Sequence, residues 1–182
     1  MGAAPRRVAG PGHGVAHARF DDRPRSPARC WGAKKGATPE DAARREGLGC
    51  SRGGLTTKVH AACDALGNPL RFLLTPGQRN DITQAHALLA GYETDAVVAD
   101  KGYDADWLAD HIAAAGAEVV IPPKKNRTAP RAYDANLYAD RNKIERLFNR
   151  LKHYRRVATR YDKLGRNYLS FVHVAAAMTL LL

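Results

Sequence analysis

From Leu55 onward the apolar residues fall into short, separated runs whose spacing predicts alternating strands and helices. Leu55–Cys63 and Leu70–Thr75 read as two strands. The turn-rich link Asp64-Ala-Leu-Gly-Asn-Pro69 between them predicts an antiparallel hairpin. Asp81 is placed to accept first-turn N–H groups of a helix over Ile82–Leu89. Ala96-Val-Val-Ala99 has the unbroken apolar character of a buried strand and stops at Asp100. Asp104 is then placed to cap a helix over Ala105–Ala115, and Glu118–Ile121 gives another short strand. The order hairpin, helix, strand, helix, strand predicts a mixed α/β sheet.

Beyond it, Pro122-Pro-Lys-Lys-Asn-Arg-Thr-Ala-Pro130 excludes regular structure and reads as an exposed basic loop. A long helix is expected from about Leu137 to Tyr154, and an apolar one from about Leu164 to Leu182. Residues 1–54 read as irregular: prolines recur, and Gly47-Leu-Gly-Cys-Ser-Arg-Gly-Gly54 is glycine-rich. There is no internal repeat.

Composition bounds the class. At 182 residues and 45% apolar the chain is long enough for one domain with a sizeable core, and collagen-like or wholly disordered chains are excluded. Cys30, Cys50 and Cys63 are too few and too scattered for a disulfide framework and match no zinc spacing, which suits free thiols in a reducing cytosol. The uncharged run from Asn167 to Leu182 falls short of the roughly 20 residues of a membrane span. The first twenty residues lack the apolar segment of a signal peptide.

The formal charge of +11 is unevenly spread. Residues 51–121 carry five basic and nine acidic side chains, whereas residues 122–166 carry fourteen and four. Like charges held so close repel in a compact state, and a polyanion relieves the repulsion while releasing counterions. Nucleic-acid binding is therefore favoured over an ordinary solvated face. The acidic stretch beside it suggests carboxylates holding metal ions next to bound phosphates.

Asp100, directly after a buried strand, stands where open α/β sheets place their sites; the alternative is an aspartate making a turn with Lys101-Gly102. Asp104 and Asp106 read mainly as stabilisers of a first helical turn. In the long helix, Tyr138, Arg141, Glu145 and Lys152 fall within an arc of about 60° at about 100° per residue. Ile144, Leu147, Phe148 and Leu151 form an adjacent apolar stripe. Arg141 and Glu145 could be no more than a surface ion pair worth about 0.2–0.5 kcal/mol. A lone carboxylate among Arg141, Lys143, Arg146, Arg150, Lys152, Arg155 and Arg156 suits a metal ligand beside DNA phosphates better.

Tyr138-x2-Arg141-x3-Glu145-x6-Lys152 resembles the Tyr-Arg-Glu-Lys signature of bacterial insertion-sequence transposases of the DDE type. Ser51-Arg-Gly-Gly-Leu-Thr-Thr-Lys-Val-His60, Val98-Ala-Asp-Lys-Gly-Tyr-Asp104 and Pro122-Pro-Lys-Lys-Asn-Arg127 are similar to further motifs of that family, and the likeness runs from about Gly32 to the carboxyl end. The resemblance implies an RNase H-like fold: a mixed sheet with flanking helices and two divalent ions, Mg²⁺ or Mn²⁺, held by two aspartates and a glutamate. It implies Asp100 and Glu145 as catalytic metal ligands. Arg141 and Lys152 would sit on phosphates near the chemistry, Tyr138 on DNA or on Lys152, and Lys124, Lys125 and Arg127 on DNA. Double-stranded DNA, as transposon ends and target, is the implied partner. A homo-oligomer acting in the bacterial cytoplasm, at the nucleoid and not at a membrane, is the implied setting.

The family's first aspartate belongs in the middle of the sheet's first strand, upstream of Gly32-Ala-Lys-Lys-Gly36. Only Asp21 and Asp22 lie there, followed by two prolines three apart, poor material for a central strand. The expectation is a truncated or frame-decayed copy: an irregular leader over 1–31, a glycine-rich basic linker over 32–54 and the catalytic domain over 55–182. Two readings follow. Asp22, or less readily Asp21, completes the metal site, or the chain is a remnant that binds DNA without cutting it. A standalone metal-dependent nuclease would need the same complete acidic triad.

Overall fold

A computed structural model describes residues 6–7, 13–21, 47–51 and 54–181. The chain is mixed α/β. Its strands are β1 (Arg6–Arg7), β2 (His13–Asp21), β3 (Gly49–Ser51), β4 (Gly54–Cys63), β5 (Pro69–Pro76), β6 (Tyr92–Glu93), β7 (Ala96–Ala99) and β8 (Glu118–Val120). Its α-helices are α1 (Ala85–Leu89), α2 (Asp106–Ala114), α3 (Ala135–Tyr138), α4 (Asn142–Lys152), α5 (Arg155–Ala158) and α6 (Gly165–Leu181). Along the hydrogen-bonded ladder β2 lies between β4 and β7, β8 follows β7, and both β3 and β5 pair with β4. Two compact units divide the chain.

The first unit comprises Met1–Ala16, Ala61–Arg71 and Asp81–Leu147. Here β7 pairs in parallel with the start of β2 (His13 opposite Val97, Val15 opposite Ala99) and with β8 (Ala96 opposite Glu118). All four residues of β7 are buried, as a strand covered on both faces requires. Leu88 of α1, Leu108 and Ile112 of α2, and Val120 complete much of this core, each at most 2% exposed. The link between β4 and β5 is the expected turn. Asp64 accepts the N–H groups of Leu66 and Asn68, and Gly67, at φ +87°, takes a left-handed conformation that a side chain would strain.

The second unit comprises His17–His60, Phe72–Asn80 and Phe148–Leu182. Its β3 runs antiparallel to β4, and the Gly77 N–H donates to the Thr56 carbonyl where β5 ends. A Cβ at Gly77 would lie 1.8 Å from Thr56 Oγ1, so no larger residue fits there. The inner part of β4 is polar yet buried: Thr56, Thr57, Lys58 and His60 are at most 3% exposed. Thr57, Lys58 and His60 are tolerated there because they are hydrogen-bonded, whereas the Thr56 hydroxyl has no hydrogen-bond partner among the described residues. His60 Nε2 meets Thr75 Oγ1 at 2.7 Å, Lys58 Nζ donates to the Arg79 carbonyl at 2.7 Å, and buried Arg160 donates to Thr57 Oγ1 at 2.6 Å. Tyr168 of α6 donates to the Val157 carbonyl at 2.7 Å, tying α6 to α5.

Residues 1–54 are not uniformly irregular. His13–Asp21 is a nine-residue strand and Gly49–Ser51 a short one. Gly14, His17 and Arg19 blur any alternation, so only ladder pairing reveals the strand. Ile82–Leu89 begins as a 3-10 turn over Asp81–Gln84 and is α-helical only from Ala85. No helix among the described residues is long and apolar enough to cross a membrane.

Candidate active site

At the end of β7 the chain enters a 3-10 turn, Lys101–Tyr103, with Asp100 at its N-cap. The Asp100 carboxylate accepts the Gly102 N–H at 2.7 Å, and Tyr103 N–H donates to the Asp100 carbonyl at 3.0 Å. The turn reading of Asp100 is therefore realised, at the carboxyl end of a buried strand where a site residue is also expected. Tyr103 is fully buried beneath the turn. Burial, then the negative Asp81 and Asp100, push its phenol far above the ordinary tyrosine range.

The long helix predicted from Leu137 is built in three pieces. Asp134 caps it, accepting the N–H groups of Asn136 and Leu137, so α3 begins at Ala135. The backbone then tightens to a 3-10 turn over Ala139–Arg141 before α4 starts at Asn142. That turn advances the phase by about 120° rather than 100° per residue, so Tyr138 and Arg141 stand nearly eclipsed. Leu137 and Tyr138 pack on Ala96, Val98 and Val120 of β7 and β8, and the Tyr133 ring meets Tyr138 edge-on at 5.5 Å. The apolar stripe of α4 is buried as expected: Ile144, Leu147 and Leu151 are fully inaccessible and Phe148 nearly so.

Arg141 lies 5.7 Å from the Tyr138 ring centre and pairs with Glu145 Oε1 at 2.8 Å. With the two side chains 30% and 49% exposed, that pair contributes only a few tenths of a kcal/mol, by the rule of about 0.2–0.5. Tyr138 registers the neighbourhood. Burial raises its phenol pKa; Arg141 opposes this, while Asp100 and Glu145 both push it further up. One tyrosine thus senses the carboxylate at the end of β7 and the carboxylate on α4. Tyr138, Arg141 and Glu145 are brought together in the first unit, and Asp100 of the same unit acts on Tyr138 electrostatically. Lys152, the last residue of α4, is exposed and belongs to the second.

The loop after β8 is irregular as expected, but its cations are engaged. Arg127 pairs with Asp104 Oδ1 at 2.7 Å and with Asp106, while Arg131 reaches Asp106 at 2.5 Å and Asp104 at 3.6 Å. Lys124 donates through its N–H to Asp104 Oδ2 at 2.8 Å and through Nζ to the Asp104 carbonyl at 2.9 Å. Lys125 alone of the three predicted DNA contacts stands exposed with no side-chain partner among the described residues. Asp104 does not cap a helix: α2 starts at Asp106, and Ala105 holds the N-cap position. Asp106 does lie in the first turn, as expected.

A transposase DDE domain matches residues 32–132, and a second domain model of the same description matches residues 97–182. The chain belongs to the DDE transposase family. It is 44% identical over 128 residues to a Brucella ovis protein named for the transposase of insertion sequence element IS6501, covering 68% of this chain and 97% of that one. It is also 29% identical over 164 residues to a Burkholderia cepacia protein named for the transposase of IS402, covering 83% of this chain and 71% of that one.

In this DDE transposase Asp100 and Glu145 both act electrostatically on Tyr138, and no cluster of three metal-ligating side chains exists among the described residues. A hard ion such as Mg²⁺ is commonly held by one or two carboxylates plus substrate phosphates and water. Asp100 and Glu145 are of the donor type that such an ion takes. They do not by themselves fit a two-ion site with a third, bridging carboxylate. Asp22 lies outside the described residues, and Asp21 is the last residue of β2. The parallel register of β2 with β7 ends with Val15 opposite Ala99, one residue before Asp100. Arg131, Tyr133 and the burial of Asp104 escaped the sequence reading. The spacing Asp104-x-Asp106 against Arg127-x3-Arg131 was visible, but its partners lie more than twenty residues apart.

Proposed function

We propose that this chain acts on DNA as the transposase of an insertion sequence, through an RNase H-like catalytic domain. The carrying observation is that Asp100 and Glu145 both act electrostatically on Tyr138, with Asp100 in the segment where both domain matches overlap and Tyr138 and Glu145 in the second match alone. The placement of β2 between β4 and β7, with β7 and β8 parallel, supports the RNase H-like reading. Asp100 and Glu145 would hold a divalent ion, Mg²⁺ or Mn²⁺, which would supply Lewis-acid polarisation of a phosphodiester. Arg141 steadies Glu145 in the resting state and, as a planar fork, can turn one edge to a phosphate. Tyr138 keeps its proton at neutral pH and can donate a hydrogen bond to DNA. Lys152 supplies a flexible point charge to the phosphate backbone. A DNA-processing role at the nucleoid, by an assembly of several copies, follows from this reading.

Glu145→Gln tests it. Metal-dependent cleavage of DNA carrying the element's ends should vanish while DNA binding persists; equal cleavage by wild type and variant would remove Glu145 from the chemistry. A second reading, DNA binding without cutting, rests on the two prolines that follow Asp21 and Asp22, poor material for a strand that carries a third carboxylate. On that reading wild type binds DNA and is inert with Mg²⁺ and Mn²⁺ alike. Cleavage by wild type would exclude it.

A further inference from the structure

The residues Asp104, Arg127 and Arg131 form a latch between two segments far apart in sequence. On one side is the turn that starts at Asp100. It is rigid from within, through the Gly102 N–H on the Asp100 carboxylate, the Tyr103 N–H on the Asp100 carbonyl and the Asp104 N–H on the Lys101 carbonyl at 3.3 Å. On the other side is the loop that leaves β8. A proline-containing loop of that length has no ladder to hold it, yet three hydrogen bonds and one longer ion pair fasten it to one residue. The Lys124 N–H and Arg127 Nη1 occupy both oxygens of Asp104, Lys124 Nζ takes its carbonyl, and Arg131 stands 3.6 Å away. The Asp104 side chain is 3% exposed. Burying a carboxylate this far is tolerable only when both oxygens are bonded and a cation is adjacent, and both conditions hold here. Asp106 receives the outward edges of the same two guanidinium groups.

We propose that Asp104 is a positioning residue: by fastening the Lys124–Arg131 loop to the Asp100 turn it fixes the direction in which the Asp100 carboxylate meets its metal ion. The proposal rests on the assignment of Asp100 as a metal ligand. It also gives Arg127 a different role from phosphate contact. The latch is charge-dependent: Asp104→Asn keeps the shape and one acceptor but loses the pull on two arginines.

Titration of the purified chain with Mn²⁺, following free ion by electron paramagnetic resonance, tests both layers. Asp100→Asn should weaken Mn²⁺ binding at least tenfold. Asp104→Asn should weaken it about fivefold or more, at a temperature where circular dichroism shows it folded. Asp104→Glu, which keeps the charge, should recover part of the loss. Leu88→Ala, a core truncation in the same unit, should lower the melting temperature without moving Mn²⁺ affinity. If Asp104→Asn does not fold, Arg127→Gln breaks the same pair from the more accessible side and should give the same weakening. Loss of affinity in Asp100→Asn with wild-type affinity in the latch variants would overturn the positioning role alone. Wild-type affinity in Asp100→Asn would overturn the metal assignment beneath it.

Discussion

The arginines of the basic segment around Glu145 should differ sharply in what they contribute to DNA binding. Arg127 is committed to Asp104 and Asp106, and Arg141 to Glu145. Arg146 and Arg150 on α4 are exposed and have no side-chain partner among the described residues. Each cation that neutralises a phosphate adds about 0.9 to the slope of log K against log salt, so one lost contact is worth roughly eightfold at about 0.1 M salt. Arg146→Ala should therefore lower the slope by about 0.9, and Arg146→Ala/Arg150→Ala by about 1.8 with a loss of roughly sixtyfold. Arg127→Ala should leave the slope unchanged. Fluorescence anisotropy of a labelled duplex across about 50–200 mM KCl reads these slopes directly. A drop of about 0.9 in Arg127→Ala, with none in Arg146→Ala, would refute the assignment of α4 rather than the loop as the footprint.

Other consequences concern stability. Ile144 is fully buried at the start of the α4 stripe, and Ile144→Ala should cost about 2–5 kcal/mol in urea unfolding; less than 1 would place the stripe outside the core. Tyr168→Phe leaves the Val157 carbonyl without its donor and should cost about 1–3 kcal/mol, whereas a neutral effect would mean the bond contributes nothing net. For Asp104, burial raises the carboxyl pKa, but the Lys124 N–H and Arg127 more than offset it, so the folded value lies below the ordinary one. Its contribution is then fully present above about pH 3.9 and is lost as pH falls through the lowered folded pKa. Wild type should lose stability over that acid window relative to its neutral value more steeply than Asp104→Asn, and parallel acid limbs would contradict the shift.

The strand ending in Asp100 was legible because four consecutive apolar residues between turn signals admit few alternatives, and the turn at Asp64 because aspartate, glycine and proline each have a local mechanical role. The Tyr138–Arg141–Glu145 grouping was legible from spacing, although the 3-10 tightening at Ala139–Arg141 changes its phase and no side-chain pattern announces it. Strand β2 was hidden since its residues carry weak strand character and gain their conformation from pairing with β7. The polar stretch of β4 reads as a half-exposed strand but is buried, because its partners Thr75, Arg79 and Arg160 come from distant segments. The loop cations illustrate the same limit: charge is legible in a sequence, but which carboxylate answers it is a tertiary matter.

The central claim is that Asp100 and Glu145 hold one divalent ion between them. Fe²⁺ substituted for Mg²⁺ in the presence of ascorbate and peroxide cuts the polypeptide close to the bound metal. Two sets of fragments are predicted, ending near residue 100 and near residue 145, both suppressed by excess Mg²⁺ and both absent in Glu145→Gln. Cuts at only one of these segments, or a pattern unchanged in Glu145→Gln, would contradict the shared site.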